Sequence, residues 1–254
     1  MNKIVILIIV LVVLFSAIFW HNNRPEPIVL NIIDQIDKPA FDEAVYRINF
    51  FGVLPAGNAT FSNSRIEELN NQKVIHLSAK AENLNIFAKF FKVTALLDSY
   101  IDPVSLNPQY FKETLSLSGK KESTKEVFYN QKGNIVTIRG VERSMLPNTQ
   151  DPLSAILNLR RMDFNKLKDF DLSLNTNQKN YAIKGKVSVL EKTINNKKYT
   201  FYVLNGNIFR RDKNNPYHRS SITMVLLKEK ENLPVLIKVF ASGLFINARL
   251  TDLK

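Results

Sequence analysis

From residue 45 onward, apolar residues recur at every second position in short runs that are separated by polar turns. In the first run, Tyr46, Ile48 and Phe50 fall on one face. This alternation is typical of a β-strand with one buried face. The same pattern predicts strands at 74–81, 127–129, 135–138, 181–189, 198–204, 222–227, 235–240 and 244–251. The sequence therefore predicts a mainly β protein whose curved antiparallel sheet forms a barrel or half-barrel.

Three short polar segments between these runs are hairpin candidates. They are Asn70-Asn71, Lys132-Gly133-Asn134 and Asn195-Asn196, and asparagine and glycine tolerate the positive φ angles of tight turns. The alternation continues through Thr251, so we expect the C-terminus to be a strand inside the sheet.

Two segments have helical spacing. Asp151 is a good N-cap, Pro152 suits the first helical position, and Leu153, Ile156 and Leu157 form an apolar stripe. The run Leu84–Phe91 is a weaker candidate, because a buried strand tolerates the same residues. The prediction is one or two short helices.

The N-terminus carries an uninterrupted apolar run from Ile4 to Trp20. As a helix at 1.5 Å per residue it would span roughly 25 Å, close to the hydrocarbon thickness of a bilayer. Phe19 and Trp20 fit poorly with the small residues of a signal-peptide cleavage site, which favours an uncleaved transmembrane helix. Lys3 and the short head before the run favour export of the remaining chain.

The expected organisation has three parts. Residues 1–24 form the membrane anchor or uncleaved signal segment, residues 25–40 a proline-containing linker, and residues 41–254 a single β-rich domain. The expected localisation is the inner membrane, with a single pass and the C-terminal domain in the periplasm.

The chain has 35 lysine and arginine residues against 23 acidic ones, a formal charge of +12. This excess favours anionic partners such as phospholipid headgroups, acidic glycans or nucleic acid. A lysine-rich codon bias is an equally good explanation. Nucleic acid is not expected, because an exported domain rarely meets it and no nucleic-acid-binding motif is present.

Little in the sequence points to catalysis. There is no cysteine, and the three histidines lack metal-site spacing. His76 lies within a predicted strand and is interpreted as solvent-facing or hydrogen-bonded. The pairs Asp98 with Asp102 and Asp169 with Asp171 are interpreted as turn and strand-edge residues rather than an acid and base. We therefore predict no catalytic residue, metal or cofactor.

Aromatic and basic side chains supply the candidate ligand contacts. Phenylalanines could line an apolar cavity, with 84–91 as a lid, although a filled core is the favoured alternative for such residues. Arg160 lies on or beside the apolar stripe of the predicted helix, where an interior carboxylate could pair with it. The candidate ligand-binding residues are Phe50, Phe87, Phe90, Phe91, Arg160, Arg210 and Arg211.

Several short motifs, taken in order, resemble domain-of-unknown-function family 3108 (DUF3108). They are Tyr46-x-Ile48-x-Phe50-Phe51-Gly52-x-x-x-Ala56-Gly57-x-Ala59, Ile101-Asp102, Asp151-Pro152-Leu153-Ser154-Ala155 with Arg160, and Pro234-Val235. The resemblance implies a largely Gram-negative exported protein with a curved antiparallel fold, loosely like periplasmic half-barrels that carry lipids or lipoproteins. It carries over no catalytic residue, and it marks Gly52, Gly57, Asp102, Asp151 and Pro152 as structural positions.

Three functions are compatible with these features. The first is a non-enzymatic envelope protein that holds an apolar or amphipathic component, a lipid or glycolipid, in a β-sheet concavity. The second is a structural or assembly partner of another envelope protein, through an exposed sheet edge or the 210–219 loop. A hydrolase of envelope polymers ranks last.

Overall fold

The computed structural model describes residues 42–62, 65–84, 92–176, 179–210, 220–241 and 243–254. Within them the chain forms fifteen β-strands, one α-helix and one 3₁₀ turn, Lys228–Lys230. The strands are β1 (Glu43–Phe50), β2 (Leu54–Ser62), β3 (Arg65–Leu69), β4 (Gln72–Asn83), β5 (Val93–Ile101), β6 (Pro108–Leu117), β7 (Ser123–Asn130), β8 (Ile135–Ile138), β9 (Val141–Ser144), β10 (Asp169–Thr176), β11 (Lys179–Ile194), β12 (Lys197–Arg210), β13 (Ser220–Leu227), β14 (Leu233–Ala241) and β15 (Leu244–Leu253). The helix α1 is Pro152–Arg161.

All fifteen strands belong to one sheet, in the order β10-β11-β12-β13-β14-β15-β1-β2-β4-β5-β6-β7-β8-β9, with β3 paired to β4. Each neighbouring pair is antiparallel. The last strand, β15, lies between β14 and β1. The predictions of a mainly β fold and of a C-terminal strand inside the sheet are therefore confirmed.

The three predicted hairpins are present. Asn70 and Asn71 join β3 to β4 with φ angles of 52° and 60°, and Asn195 and Asn196 join β11 to β12 with φ angles of 49° and 61°. Asn134, between β7 and β8, has φ 53°. Asparagine is favoured here because it occupies the left-handed region at lower cost than most residues.

The predicted helix is also confirmed, with proline in its first turn. The Asp151 carboxylate accepts hydrogen bonds from the backbone amides of Leu153 and Ser154 at 2.7 and 3.0 Å. The Ser154 hydroxyl lies 2.9 Å from the Asp151 amide and accepts its hydrogen bond. This capping box satisfies amides at the helix start, and Pro152 has no amide to satisfy.

The sheet curls around α1. The helix contacts β10 at one end of the strand order, and also β4 and β5, which lie far along it. A flat sheet could not bring these strands to the same helix, so we call the face that carries α1 the concave face. The barrel-like part of the fold prediction is therefore supported by these contacts.

The helix divides two hydrophobic cores. Leu153 and Leu157 pack with inward residues of β4 to β8, and Ala155 and Leu159 pack with inward residues of β10 to β13. A third core is formed by residues of β1 and β15 together with residues of β12, β13 and β14 such as Phe201, Leu227 and Val235. Strand β12 is consequently buried on both faces. Phe201 lies in the third core, and Tyr202 lies in the core that α1 forms with β10 to β13.

Some predictions fall outside the described residues. The proposed transmembrane helix and linker lie within residues 1–41, and the second helix candidate lies almost wholly within 85–91. Across the part of the chain that is described, no helix has both the length and the apolar character needed to cross a bilayer.

Candidate apolar binding site

The concave face also holds an apolar cavity of about 320 Å³ that is not lined by α1. Its walls come from four neighbouring strands, β1, β2, β4 and β5. The lining residues are Ile48, Phe50, Ala56, Gly57, Ala81, Glu82, Asn83, Val93 and Ala95. We call this space the open cavity. It lies at the strand ends that flank the 85–91 connection.

Small side chains create the open cavity. Ala56, Gly57, Ala81 and Ala95 occupy concave-face positions where larger residues would fill the space. Gly57 has a further constraint, because a Cβ atom there would overlap the carbonyl oxygen of Glu82 on β4. The β1–β2 pairing shifts register between Ile48 and Asn49, opposite this glycine. Gly57 therefore serves a bulge and a close strand approach.

A second apolar cavity, of about 170 Å³, lies between α1 and β10 to β14. Helix residues Ala155, Ile156 and Leu159 form one wall. The sheet contributes Phe170, Leu172, Leu174, Ile183, Leu204, Ile222, Met224 and Ile237. We call this space the helix cavity, and its lining is almost wholly aliphatic and aromatic.

Two rows of paired apolar residues connect these cavities across β13, β14, β15 and β1. Ile237, in the helix cavity, pairs with Ala248, which pairs with Ile48 in the open cavity. A parallel row runs from Ile222 through Val239 and Ile246 to Phe50. Directly opposed side chains in a sheet are close neighbours. The concave face therefore carries one continuous apolar track between the cavities.

One part of the concave face is charged. Glu113 and Lys125 face each other on β6 and β7, with 3.2 Å between Lys125 Nζ and Glu113 Oε2. They line a smaller space of about 170 Å³ together with Leu97, Phe111 and Val127 among others. This ion pair supplies polar partners at the side of the apolar concavity.

Of the predicted ligand contacts, only Phe50 lies in a described cavity. Arg210 ends β12 on the same side of the sheet as the open cavity, and it is half-buried. Phe87, Phe90, Phe91 and Arg211 lie outside the described residues, so their predicted roles stay predictions.

Arg160 lies in the last turn of α1 with only 7% of its side chain exposed. Its Nε donates to the Glu231 carbonyl oxygen at 3.3 Å, and its guanidinium lies 3.6 Å from the Glu231 carboxylate. Burial lowers the pKa of Arg160, while Tyr46 and Glu231 oppose that effect. The expected partner was an interior carboxylate, and this was wrong because Glu231 is 91% exposed. Arg160 thus joins the helix end to the turn before β14.

The hydrogen bonds of Asp151 also hold α1 in place. Its side chain is fully buried and accepts a 2.6 Å hydrogen bond from the Ser99 hydroxyl on β5. Burial raises the pKa of this carboxyl, and the hydrogen bonds from Ser99, Ser154 and Leu153 counteract the increase. The bond from Ser99 fixes the start of α1 against the sheet.

The remaining motif residues shape turns. Gly52 has φ 79° in the β1–β2 turn, where a side chain would be strained. Asp102 starts the β5–β6 turn and accepts hydrogen bonds from the Val104 amide and from the Ser105 amide and hydroxyl. The Ser105 amide is the main reason why the pKa of Asp102 is lowered. The prediction of a turn start is confirmed.

The other titratable candidates lie away from the open cavity. His76 is hydrogen-bonded to Glu67 at 2.9 Å and Asp98 at 3.0 Å, and its ring stacks on Tyr100. Asp169 and Asp171 are exposed on β10, which is an edge of the sheet. Both interpretations from the sequence are confirmed. Among the described residues, no three acidic or histidine side chains are grouped to hold a metal.

Sequence reasoning missed most of the open cavity because it looked for aromatic walls. The usable signal was a set of small residues that share one face of adjacent strands: Ala56, Gly57, Ala59, Ala79, Ala81 and Ala95. Their significance depends on strand order, which pairs Ala59 with Ala81 and Ala81 with Ala95.

Comparison with known proteins gives a family and a fold. No curated protein matches this sequence. Among solved structures, the chain is similar to the crystal structure of a beta-barrel-like protein of domain of unknown function DUF1849 from Brucella abortus, with a TM-score of 0.56 and 10% identity. The similarity covers 84% of this chain and 96% of that one, and it supports a barrel-like fold. Residues 45–243 match the sequence profile of the protein family of unknown function DUF3108. The chain therefore belongs to the DUF3108 family.

Proposed function

We propose that this protein is a non-enzymatic envelope protein that binds an apolar or amphipathic component, a lipid or glycolipid, in the concavity of its sheet. The observation that carries the proposal is the open cavity, which lies on the concave face beyond the part that α1 packs against. Ligand sites are commonly concave, mostly apolar and already formed before binding.

The shape of the apolar surface supports a chain-like ligand. The open cavity continues into the helix cavity along paired residues such as Ile48, Ala248 and Ile237. An acyl chain that follows this track would gain about 0.8 kcal/mol for each methylene removed from water. The Glu113–Lys125 pair at the side of the concavity offers partners to a polar headgroup.

The titratable residues support binding rather than catalysis. Asp151 caps a helix, Asp102 holds a turn and Asp98 bonds to His76. Each of these carboxylates has a structural partner away from the open cavity. In this account the N-terminal apolar segment anchors the protein in the inner membrane, and the β-rich domain faces the periplasm.

An assembly role is the second candidate, and the sheet edges favour it. All four residues of β9, Val141–Ser144, are exposed at one end of the strand order. An uncovered edge strand has unpaired backbone groups that another chain can use. Glu142 and Arg143 on this strand act against promiscuous pairing, which leaves lipid binding as the better supported function.

The first test is native mass spectrometry of the full chain from a Gram-negative host, with lipid analysis of any bound species. We expect a stoichiometric lipid or glycolipid on the unmodified protein. The variant Ala95→Leu adds volume inside the open cavity, and we expect it to reduce occupancy by about tenfold or more, since small-to-large changes cause steric overlap.

Thr94→Leu is the matched control, because residue 94 neighbours Ala95 on the same strand but faces the opposite side of the sheet. It should retain the lipid. An empty unmodified protein, or equal loss in both variants, would contradict binding in the open cavity and favour the assembly role.

A further inference from the structure

Exposed apolar side chains are concentrated at the end of the sheet where the open cavity lies. We call this end the open rim; it comprises the turns 50–54, 117–123 and 241–244 and the strand ends at Asn83, Lys92, Thr176, Lys179 and Arg210. Four large apolar side chains are exposed there: Phe50 (43%), Val53 (55%), Leu54 (50%) and Leu244 (49%). The other exposed large apolar residues of the described chain are spread singly over separate elements.

These four side chains form one patch. Phe50 pairs with Leu54 across the β1–β2 hairpin and with Ile246 on β15. The β14–β15 turn that carries Leu244 therefore lies beside the β1–β2 turn. Phe50 also lines the open cavity, so the patch continues directly into the cavity. A grouped apolar patch on a surface marks an interaction site more often than scattered residues do.

The open rim is also basic. Its described charged residues include Lys92, Lys120, Lys121, Lys179 and Arg210, against Glu122 and Glu82, and Glu82 is paired with Lys80 at 3.0 Å. The opposite end of the sheet has mixed charge, for example Lys228, Glu229, Lys230 and Glu231 in one turn. Basic residues therefore outnumber acidic ones at the end that carries the apolar patch, whereas the 228–231 turn at the opposite end carries both signs equally.

Apolar side chains surrounded by basic ones match the interface of an anionic bilayer. The apolar groups enter the boundary between headgroups and acyl chains, and lysine or arginine pairs with lipid phosphates. A soluble protein partner would not need the patch to open into an apolar cavity. On a bilayer, the continuity between the patch and the cavity has a use, because an acyl chain can then pass from the membrane into the cavity without crossing water.

We propose that the open rim docks onto the surface of an anionic phospholipid bilayer and places the mouth of the open cavity against the lipid. This inference rests on the proposed lipid-binding function and adds the surface from which the ligand enters. Val53, Leu54 and Leu244 are the residues that enter the interface, and Lys120 and Lys121 are among those that contact phosphates.

The absence of cysteine allows a direct test on the full chain. Val53→Cys and Val104→Cys place one cysteine each in turns at opposite ends of the sheet, and both valines are exposed, at 55% and 91%. Each variant is labelled with an environment-sensitive fluorophore and reconstituted in vesicles of phosphatidylglycerol and phosphatidylcholine that contain a lipid-attached quencher. We expect quenching and a blue shift at position 53 and neither at position 104.

Charge neutralisation tests the anionic part of the proposal. Each basic side chain near an anionic surface contributes about fivefold to binding, so Lys120→Gln with Lys121→Gln should weaken docking by on the order of thirtyfold. Lys166→Gln with Lys168→Gln, which lie before β10 at the opposite end, should leave quenching at position 53 unchanged. Vesicles of phosphatidylcholine alone should weaken it as the first pair does.

The two proposals fail in different ways. If lipid co-purifies but the label at position 53 stays in water, or is quenched no more than at position 104, docking by the open rim is wrong while lipid binding stands. If position 53 is quenched but the open cavity never holds lipid, the rim docks and the lipid-binding function is wrong.

Discussion

The two halves of the concave face differ although the same strands build both. On β4, Ile75 and Leu77 are fully buried beneath α1, whereas Ala81 lines the open cavity. On β5 the order is reversed along the chain, with Ala95 in the open cavity and Ile101 under the helix. At these positions of β4 and β5, the covered half carries large side chains and the open half carries alanine.

This difference in side-chain size distinguishes a packed half of the concave face from an open half. Large side chains under α1 bury apolar area and hold the fold together. Small side chains in the open half leave space that the described residues do not fill. Larger residues there would bury more apolar area, so the change from large to small residues along β4 and β5 supports the proposed binding role.

Truncating one side chain in each half tests the difference between the two halves most strongly. Leu157→Ala removes a buried helix residue from the core shared with β4 to β8, and we expect a loss of about 3 kcal/mol in the free energy of unfolding. Phe50→Ala, in the open half, should cost under about 1 kcal/mol because its side chain is already partly exposed. Urea unfolding of both variants measures this, and equal losses would mean that the open half is part of the core.

The attachment of α1 to the sheet gives a somewhat smaller effect. Asp151→Ala removes the helix cap and leaves the buried Ser99 hydroxyl without its acceptor, so we expect a loss of about 2 kcal/mol. The cap of the β5–β6 turn provides the control. Asp102→Ala removes hydrogen bonds near the surface and should cost under about 1 kcal/mol. A cost for Asp151→Ala no larger than this would show that the cap does not hold α1 in the concavity.

The smallest expected effect is on the pH dependence of stability. Burial raises the pKa of Asp151 above the ordinary value of 3.8 in the folded protein. The folded state then binds more protons than the unfolded state between 3.8 and the raised value, so this group's contribution falls as pH rises through that window. We expect the urea midpoint of the unmodified protein to include a decline from this group as pH rises across the acidic range, and Asp151→Asn should remove that decline.

Asp102 should behave in the opposite sense. Its pKa is lowered from 3.8 by the hydrogen bonds from Ser105 and Val104. Its contribution is present above 3.8 and is lost as pH falls through the lowered value. A decline with rising pH that survives in Asp151→Asn would have to come from another group.

Local sequence signals were sufficient for most of the fold. Alternation located nine of the fifteen described strands but not β2, β3, β5, β6 or β9. Asparagine-containing turns located three hairpins, and Asp151-Pro152 located the start of α1. These features depend on neighbours within a few residues. The position of α1 inside the concavity does not, because it also follows from contacts with β4 and β5, which lie far before the helix in the sequence.

The candidate site was predicted less well for the same reason. Phe50 was identified because aromatic residues are conspicuous, but Ala81 and Ala95 acquire meaning only once β2, β4 and β5 are known to be neighbours. The partner of Arg160 was misplaced because helical spacing gives the direction of a side chain without showing that the turn at Glu231 covers it.

The most direct test of the central claim is to locate a bound chain within the protein. A fatty acid with a photoreactive diazirine near its methyl end is incubated with the full chain, irradiated, and the attachment sites are mapped by mass spectrometry. We predict adducts on residues that line the open cavity, such as Ile48, Phe50, Val93 and Ala95, and their loss in Ala95→Leu. Adducts spread over outward positions such as Thr94 and Phe128, or unaffected by Ala95→Leu, would contradict a binding site in the concavity.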